Sequence, residues 1–543
     1  MLMAPSRDLD ALEQEIVDHL FVLQPGYAVG LGLHAYDGRS PDLSTPATER
    51  WSAVADRLLQ RLETIRPDGL DPDRQIDRFL LRLLLESPLF DLREAHDLER
   101  NPMAYVGMFS LTSYLARDYA PAVERVGSIA RILLDAPSIL DVGRHRLHGP
   151  LPRPFVDLAI QMGEQLPTHF AEAEEFATRH GVGPRIASAR QVAESSLAAF
   201  VAWLKEQELP RATSDFALGP ERFRRLLFVR EGIEAPAAEI RDAGLADLRR
   251  NQARLAELAR EAAKSPPELF AALAADHPSP DEVLATARAY VDEARAFITE
   301  KDLVSVPEPA VCRVEETPPY GRAWTTASMS PPGPFDTNTA EGVYFVTLVD
   351  PAWDPPQQEE WLRALNRPML RNITVHEVYP GHYLQYLHFR TRPASLARKV
   401  YISPSFSEGW AHYTEQLAIE AGLGAGHREA EVAQLHDALL RDCRLLASIG
   451  LHTEGWPVAR ATDLFRSEAH FEQLPAQREA VRGTFNPEYF CYTLGKLGIL
   501  SARRRFLEPK FKGSLRRFHD ALLSAGSPPV GLFDRVLELQ PAS

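Results

Sequence analysis

The run His376-Glu377-Val378-Tyr379-Pro380-Gly381-His382 sets two imidazoles six residues apart around a Pro-Gly pair. On an unbroken helix, positions six apart are rotated by about 120° and separated by roughly 9 Å along the axis, too far for both to reach one ion. The usual helical pair sits four residues apart, about 40° around the axis. The Pro-Gly pair resolves the conflict. Pro380 has no N–H to offer the carbonyl of His376, and its ring crowds that carbonyl. Gly381 tolerates backbone angles that other residues avoid. The sequence therefore predicts a helix that breaks or loops out after Glu377 and returns His382 towards His376. Two imidazoles so placed could share one zinc ion, and Glu377 would be the general base for a water attacking a carbonyl. The competing reading is two polar residues flanking a turn.

Zinc needs a third protein ligand, and the next informative segment is Ser405-Phe406-Ser407-Glu408-Gly409-Trp410-Ala411-His412-Tyr413-Thr414-Glu415. It reads as a helix start, with Glu408 and Glu415 seven residues apart and so on one face. Either acid could bind metal while the other steadies a ligand imidazole from behind. Ser405 and Glu408 also fit a capping box, in which Glu408 would serve backbone amides instead. Spacing leaves these alternatives open. His388 and His412 read as surface or packing residues.

Working outward, apolar residues recur three and four apart in Ala11 to Leu23, Trp51 to Ile65, Ile76 to Leu85, Val123 to Leu134, Val192 to Leu204 and Leu245 to Ala263, which predicts a mainly α fold. Prolines 307, 309, 318, 319, 331, 332 and 334 exclude continuous helix there, suggesting a seam between an N-terminal helical lobe, 1–303, and a catalytic helical lobe, 304–543, within one integrated fold. Glu341-Gly342-Val343-Tyr344-Phe345-Val346-Thr347-Leu348 reads as a strand inside a short β region, 339–350, and helices resume from about Gln357. A free edge on that strand could pair with an extended peptide; a small structural hairpin is the alternative.

Bulk properties narrow the function classes. A chain of 543 residues with 45% hydrophobic and 25% charged residues is an ordinary folded protein. Its net charge of -15 argues against general binding of nucleic acid or anionic membranes. No stretch approaches a membrane span, and the acidic start does not resemble a signal peptide, so a cytoplasmic location is expected. Cys312, Cys443 and Cys491 suit free thiols, Cys491 reading as a small buried hydrophobe. There is no G-x-S-x-G elbow, P-loop or dinucleotide-binding glycine pattern.

HEVYPGHYLQ followed by FSEGWAHYTEQLAIEAGL closely resembles the bacterial family known as domain of unknown function 885, whose motifs H-E-x-x-P-G-H-x-x-Q and E-G-W-A-x-Y-x-E are highly specific. The resemblance extends through PGYAVGLGLHAYD, SPPGPFD, GLHTEGWP and YTLGKL, most of the chain. It implies a branch of the gluzincin metallopeptidases: a large two-lobed helical fold with a deep central cleft and a small β-element near the active site. It further implies one Zn2+ held by His376, His382 and Glu408, with Glu377 as base and Glu415 and Gln385 supporting the ligands. Tyr492 and His452 match positions at which related peptidases hold the developing oxyanion. Two departures stand out: Ser448 replaces an Asp found in many relatives, and Asn486-Pro487-Glu488-Tyr489 replaces a Pro-Gly-Gln run before the final Tyr.

The expected function is zinc-dependent hydrolysis of peptide or amide bonds in short substrates by a monomer or homodimer, with neither nucleic acid nor membrane as partner. The alternatives are a zinc enzyme acting on an amide of a specialised metabolite, and a peptide-binding pseudoenzyme.

Overall fold

The computed structural model describes residues 3–322, 325–336, 341–391 and 395–541. Every helix anticipated from periodicity is present. In the first compact unit, residues 1–218 with 333–339 and 395–400, the longer helices are α1 (Met3–Leu23), α2 (Thr45–Thr64), α3 (Pro72–Arg93), α4 (Ala122–Leu134), α5 (Arg153–Arg179) and α6 (Pro184–Trp203). Their apolar stripes converge on one core. Val126, Ile129, Ile132 and Leu133 of α4 meet Phe170 and Phe176 of α5 and Leu197 and Phe200 of α6, and each such side chain contributes about 1.5–3 kcal/mol when fully buried.

Two of the motifs noted above meet inside this unit. His34 of PGYAVGLGLHAYD lies 3.2 Å from Asp37 and 3.2 Å from Asp336 of SPPGPFD. Its ring stacks on Tyr119 at 3.5 Å. Arg117 reaches the same Asp336 at 3.5 Å.

The second unit comprises residues 219–332, 340–394 and 401–543. Its principal elements are α7 (Ala237–Glu261), α8 (Val283–Glu300), strands β1 (Val311–Glu316), β2 (Ala327–Ser330) and β3 (Glu341–Val346), then α9 (Arg367–Glu377), α10 (His382–Thr391), α11 (Pro404–Glu420), α12 (Arg428–Thr453), α13 (Gln473–Phe485) and α14 (Cys491–Phe511). The units divide at Leu218 and Gly219, whereas the proline-rich stretch from Val304 lies in the second unit as far as Pro332, with Pro334 in the first. The cause is α7, which joins the later helices: Asn251 donates to Asp442 of α12 at 2.7 Å, and Leu445 fills the space over Gly244.

The strand expected at 341–348 forms over 341–346; positions 339 and 340 of the anticipated β region lie outside the described residues. It is not an edge. β3 pairs in parallel with β1, Val314 opposite Tyr344, and antiparallel with β2, Met329 opposite Tyr344. Its near-continuous burial matches that central place. The sheet is tied to the site helices where the Tyr344 hydroxyl lies 3.3 Å from Thr374 of α9.

Candidate metal centre

The chain between α9 and α10 carries out the detour that Pro380 and Gly381 predict. Regular bonding ends at Val378, whose amide donates to Thr374. The next bonds skip six residues, Gly381 to Val375 at 3.0 Å and Leu384 to Val378 at 3.2 Å. The loop-out is tight: a Cβ on Gly381 would stand 1.7 Å from the carbonyl oxygen of His376, so only glycine fits. Trp410 of α11 fixes the turn by donating to the Pro380 carbonyl at 2.8 Å.

As a result, the imidazole centroids of His376 and His382 lie 4.8 Å apart at 87°. α11 brings the third group. Its cap is Ser403, which accepts the Phe406 amide, because Pro404 occupies the first helical position, where no N–H is needed. The capping-box reading of Ser405 and Glu408 is thereby corrected, and Glu408 is free for other work. Glu408 Oε2 stands 3.5 Å from Nε2 of both histidines, and one donor atom from each of the three residues lies within 4.8 Å of the others. Close approach of α11 to α14 sets this position: a Cβ on Gly409 would meet Gly495 Cα at 2.4 Å.

Glu415 lies behind the cluster, fully buried. It accepts from His376 Nδ1 at 2.6 Å and from Arg441 at 2.9 Å, which leaves His376 Nε2 facing Glu408. Geometry thus separates the two acids that spacing could not. Burial would raise the Glu408 carboxyl, but the imidazoles of His382 and His376 outweigh it and hold it well below the carboxylate range. Burial likewise opposes protonation of His376, yet Glu408 and Glu415 raise it to about 9. Glu377 moves the other way: burial raises its carboxyl despite the nearby imidazoles of His382 and His376 and the Met329 amide of β2.

The donor set of two imidazoles and one carboxylate suits zinc. So does the arrangement behind it, with Glu415 fixing one imidazole in the manner metal-bound histidines require. Buried His382 Nδ1 has no hydrogen-bond partner among the described residues, unlike His376 Nδ1, which Glu415 holds.

His376 and Glu377 open onto a cavity of about 670 Å³ within the second unit, shared with Tyr492, Asp437, Met369 and Phe270. Tyr492 lies there under the guanidinium groups of Arg441 and Arg444, 5.5 and 5.3 Å from its ring centre. His452 does not join it. It is 2% exposed, stacks on Phe223, and has Nε2 2.8 Å from the Gly483 carbonyl. Gln385 is also apart, its Oε1 unpartnered among the described residues and its side chain on a small separate pocket with Phe389 and Ile402. His388 packs against the Ser305 carbonyl at 2.7 Å, and His412 is buried beside Glu415 at 3.3 Å. The two departures from the family pattern touch each other, Ser448 donating to the Pro487 carbonyl at 2.6 Å, and neither lines the cavity.

Residues missed from sequence are Arg441 and Asn372, which neutralise and orient Glu415, Asp437, which accepts from Asn372 at 2.8 Å, and the Arg444–Glu479 pair in the cavity wall. The signal available was Arg441 and Arg444 within the apolar run from Ala438 to Leu451, where a charge on the buried face needs a partner.

The chain matches the family described as bacterial protein of unknown function (DUF885) over residues 25–537, and it belongs to that family. No curated protein matches it. Among solved structures it is similar to a protein of unknown function from Shewanella oneidensis, described as a candidate lipoprotein, at 22% identity and a TM-score of 0.81 over 97% of this chain and 99% of that one. It is also similar to a candidate lipoprotein from Colwellia psychrerythraea, at 18% identity and a TM-score of 0.81 over 99% of each chain. At these identities the likeness concerns the fold. Among the described residues no helix is long and apolar enough to cross a membrane.

Proposed function

We propose that this member of the DUF885 family is a zinc-dependent hydrolase that cleaves peptide or amide bonds in short substrates. The observation that carries this reading is the convergence of His376, His382 and Glu408 on one point, reached through a loop-out that only Pro380 and Gly381 permit, with Glu377 beside it. These three residues would hold the ion, which when bound supplies Lewis-acid polarisation of a carbonyl and acidifies a water. The Glu377 carboxylate, made more basic by burial, takes the proton of the attacking water and delivers it to the leaving nitrogen. The Tyr492 hydroxyl donates to the oxygen that gains charge. β2, whose Met329 amide faces Glu377, has β3 on one side among the described residues and offers its other edge to an extended backbone.

A cavity of about 670 Å³ suits a few residues of extended chain and not a folded protein. Ser448 contacts Pro487 and both departures lie outside the cavity lining, which supports the peptide or amide reading over an altered reaction. Three free thiols favour a reducing compartment, whereas two similar solved structures are described as candidate lipoproteins; cell fractionation of the native chain decides between cytoplasm and envelope.

The reading is tested by metal analysis of the purified protein and mass spectrometry of products from a mixed peptide library, with and without chelator. About one zinc per chain and chelator-sensitive cleavage are expected. Peptide products that persist unchanged after metal removal would overturn it.

A further inference from the structure

Four arginines line the cavity, Arg363, Arg441, Arg444 and Arg482, against the carboxylates of Glu377, Asp437 and Glu479. Three are committed. Arg441 holds Glu415 at 2.9 Å, Arg444 grips Glu479 through two bonds of 2.8 Å, and Arg363 pairs with Glu359 at 3.0 Å. Arg482, on α13, has neither hydrogen bond nor ion pair among the described residues, although it is half-buried in the same wall.

Glu479 is near enough for its charge to act on Arg482, but both of its oxygens are taken by Arg444, so the partly desolvated Arg482 fork keeps its donors unused, which is costly. The free donor fork is suited to a carboxylate held through two parallel bonds. Its place fits that use. Arg482 is close enough to Tyr492 for its charge to act on the phenol, as does that of Glu408 from the ligand cluster. Phe270, Leu273, Met369 and Ile373 give the same cavity an apolar lining.

We infer that Arg482 is a substrate-binding residue that holds a carboxylate, and that the protein takes short anionic substrates with an apolar group beside the anion. This deepens the hydrolase reading, which supplies the bond to be cut, while the binding itself does not depend on turnover. The carboxylate is either the C-terminus of a peptide or an acidic side chain.

The probes are N-benzoyl-Gly-Phe, its C-terminal amide, and N-benzoyl-Gly-Glu amide, titrated calorimetrically into the full-length zinc-loaded Glu377→Gln protein with and without Arg482→Gln. A preference for a carboxylate-bearing probe over the Phe amide, on the order of 10- to 100-fold in Kd, is expected. Arg482→Gln should abolish that preference and leave binding of the neutral amide unchanged, and Arg482→Lys should restore part of it; circular dichroism melting confirms that each variant folds. The Phe acid and the Glu amide distinguish a C-terminal from a side-chain carboxylate. Acid preference that survives Arg482→Gln, equal binding of charged and neutral probes, or binding of none of them would overturn the inference. Parallel hydrolysis assays with intact Glu377 separate the two readings. Arg482-dependent binding without cleavage keeps the carboxylate site and removes the hydrolase, whereas cleavage indifferent to both charge and Arg482 does the reverse.

Discussion

His34 and His376 stand in nearly the same electrostatic setting and have opposite structural meaning. Each lies between two carboxylates that overcome burial and raise its imidazole to about 9, Asp336 and Asp37 for His34, Glu408 and Glu415 for His376. Around His34 both ring nitrogens are used at 3.2 Å, and the ring is closed off by stacking on Tyr119. Around His376 only the Glu415 side is a short bond, at 2.6 Å; on the other side Glu408 stands off at 3.5 Å and is shared with His382. A raised imidazole flanked by acids therefore does not identify a metal site. The feature on which the metal proposal rests is a second imidazole converging on the same carboxylate.

The widest separation between the two histidines should come from Glu408→Ala. Removing the shared carboxylate takes away one of the three proposed ligands, so metal affinity should fall by more than about 100-fold, beyond what loss of a supporting residue costs, and turnover should vanish with it. Elemental analysis after dialysis checks this, and full zinc occupancy would refute the role of Glu408. Glu377→Gln should instead retain metal and lower kcat by about 10²–10⁴-fold. Unchanged turnover there would remove Glu377 as the base. Glu415→Gln is the closest counterpart to disturbing an acid beside His34: it should weaken metal binding by about 10- to 100-fold while leaving the ligands in place, measured by competition with a chromophoric chelator.

The mainly α fold was legible because apolar periodicity is a local property, and each of the six periodic segments lies on a helix. The loop-out was legible for the same reason, since Pro380 and Gly381 act on the backbone within one turn. What stayed hidden depends on distant packing. The pairing of β3 on both sides, the attachment of α7 to α12 and the withdrawal of His452 to Phe223 and Gly483 are contacts between segments far apart in sequence. The cap of α11 was misplaced by two residues because Pro404 satisfies the first position, so Ser403 was the better acceptor. Spacing left Glu408 and Glu415 open, since both occupy one helix face, and the family resemblance pointed to Glu408 as the ligand.

The smallest expected effect is on the closed side of the comparison. The folded imidazole of His34 is raised from 6.5 to about 9, so the protonated ring contributes stability that is fully present below the unfolded value near 6.5. That contribution fades as pH rises through 9, because the folded state then surrenders the proton it held more tightly than the unfolded chain. With the side chain 28% exposed, solvent screening reduces the contribution to roughly 2 kcal/mol. His34→Gln should accordingly be less stable than the native chain in urea at pH 6, the gap should narrow by about that amount at pH 9.5, and zinc content should be the same in both. A gap of constant size across this range would mean that His34 supports its unit by packing on Tyr119 and not by its charge. Zinc loss in the variant would break the comparison itself, by joining the closed cluster to the open one.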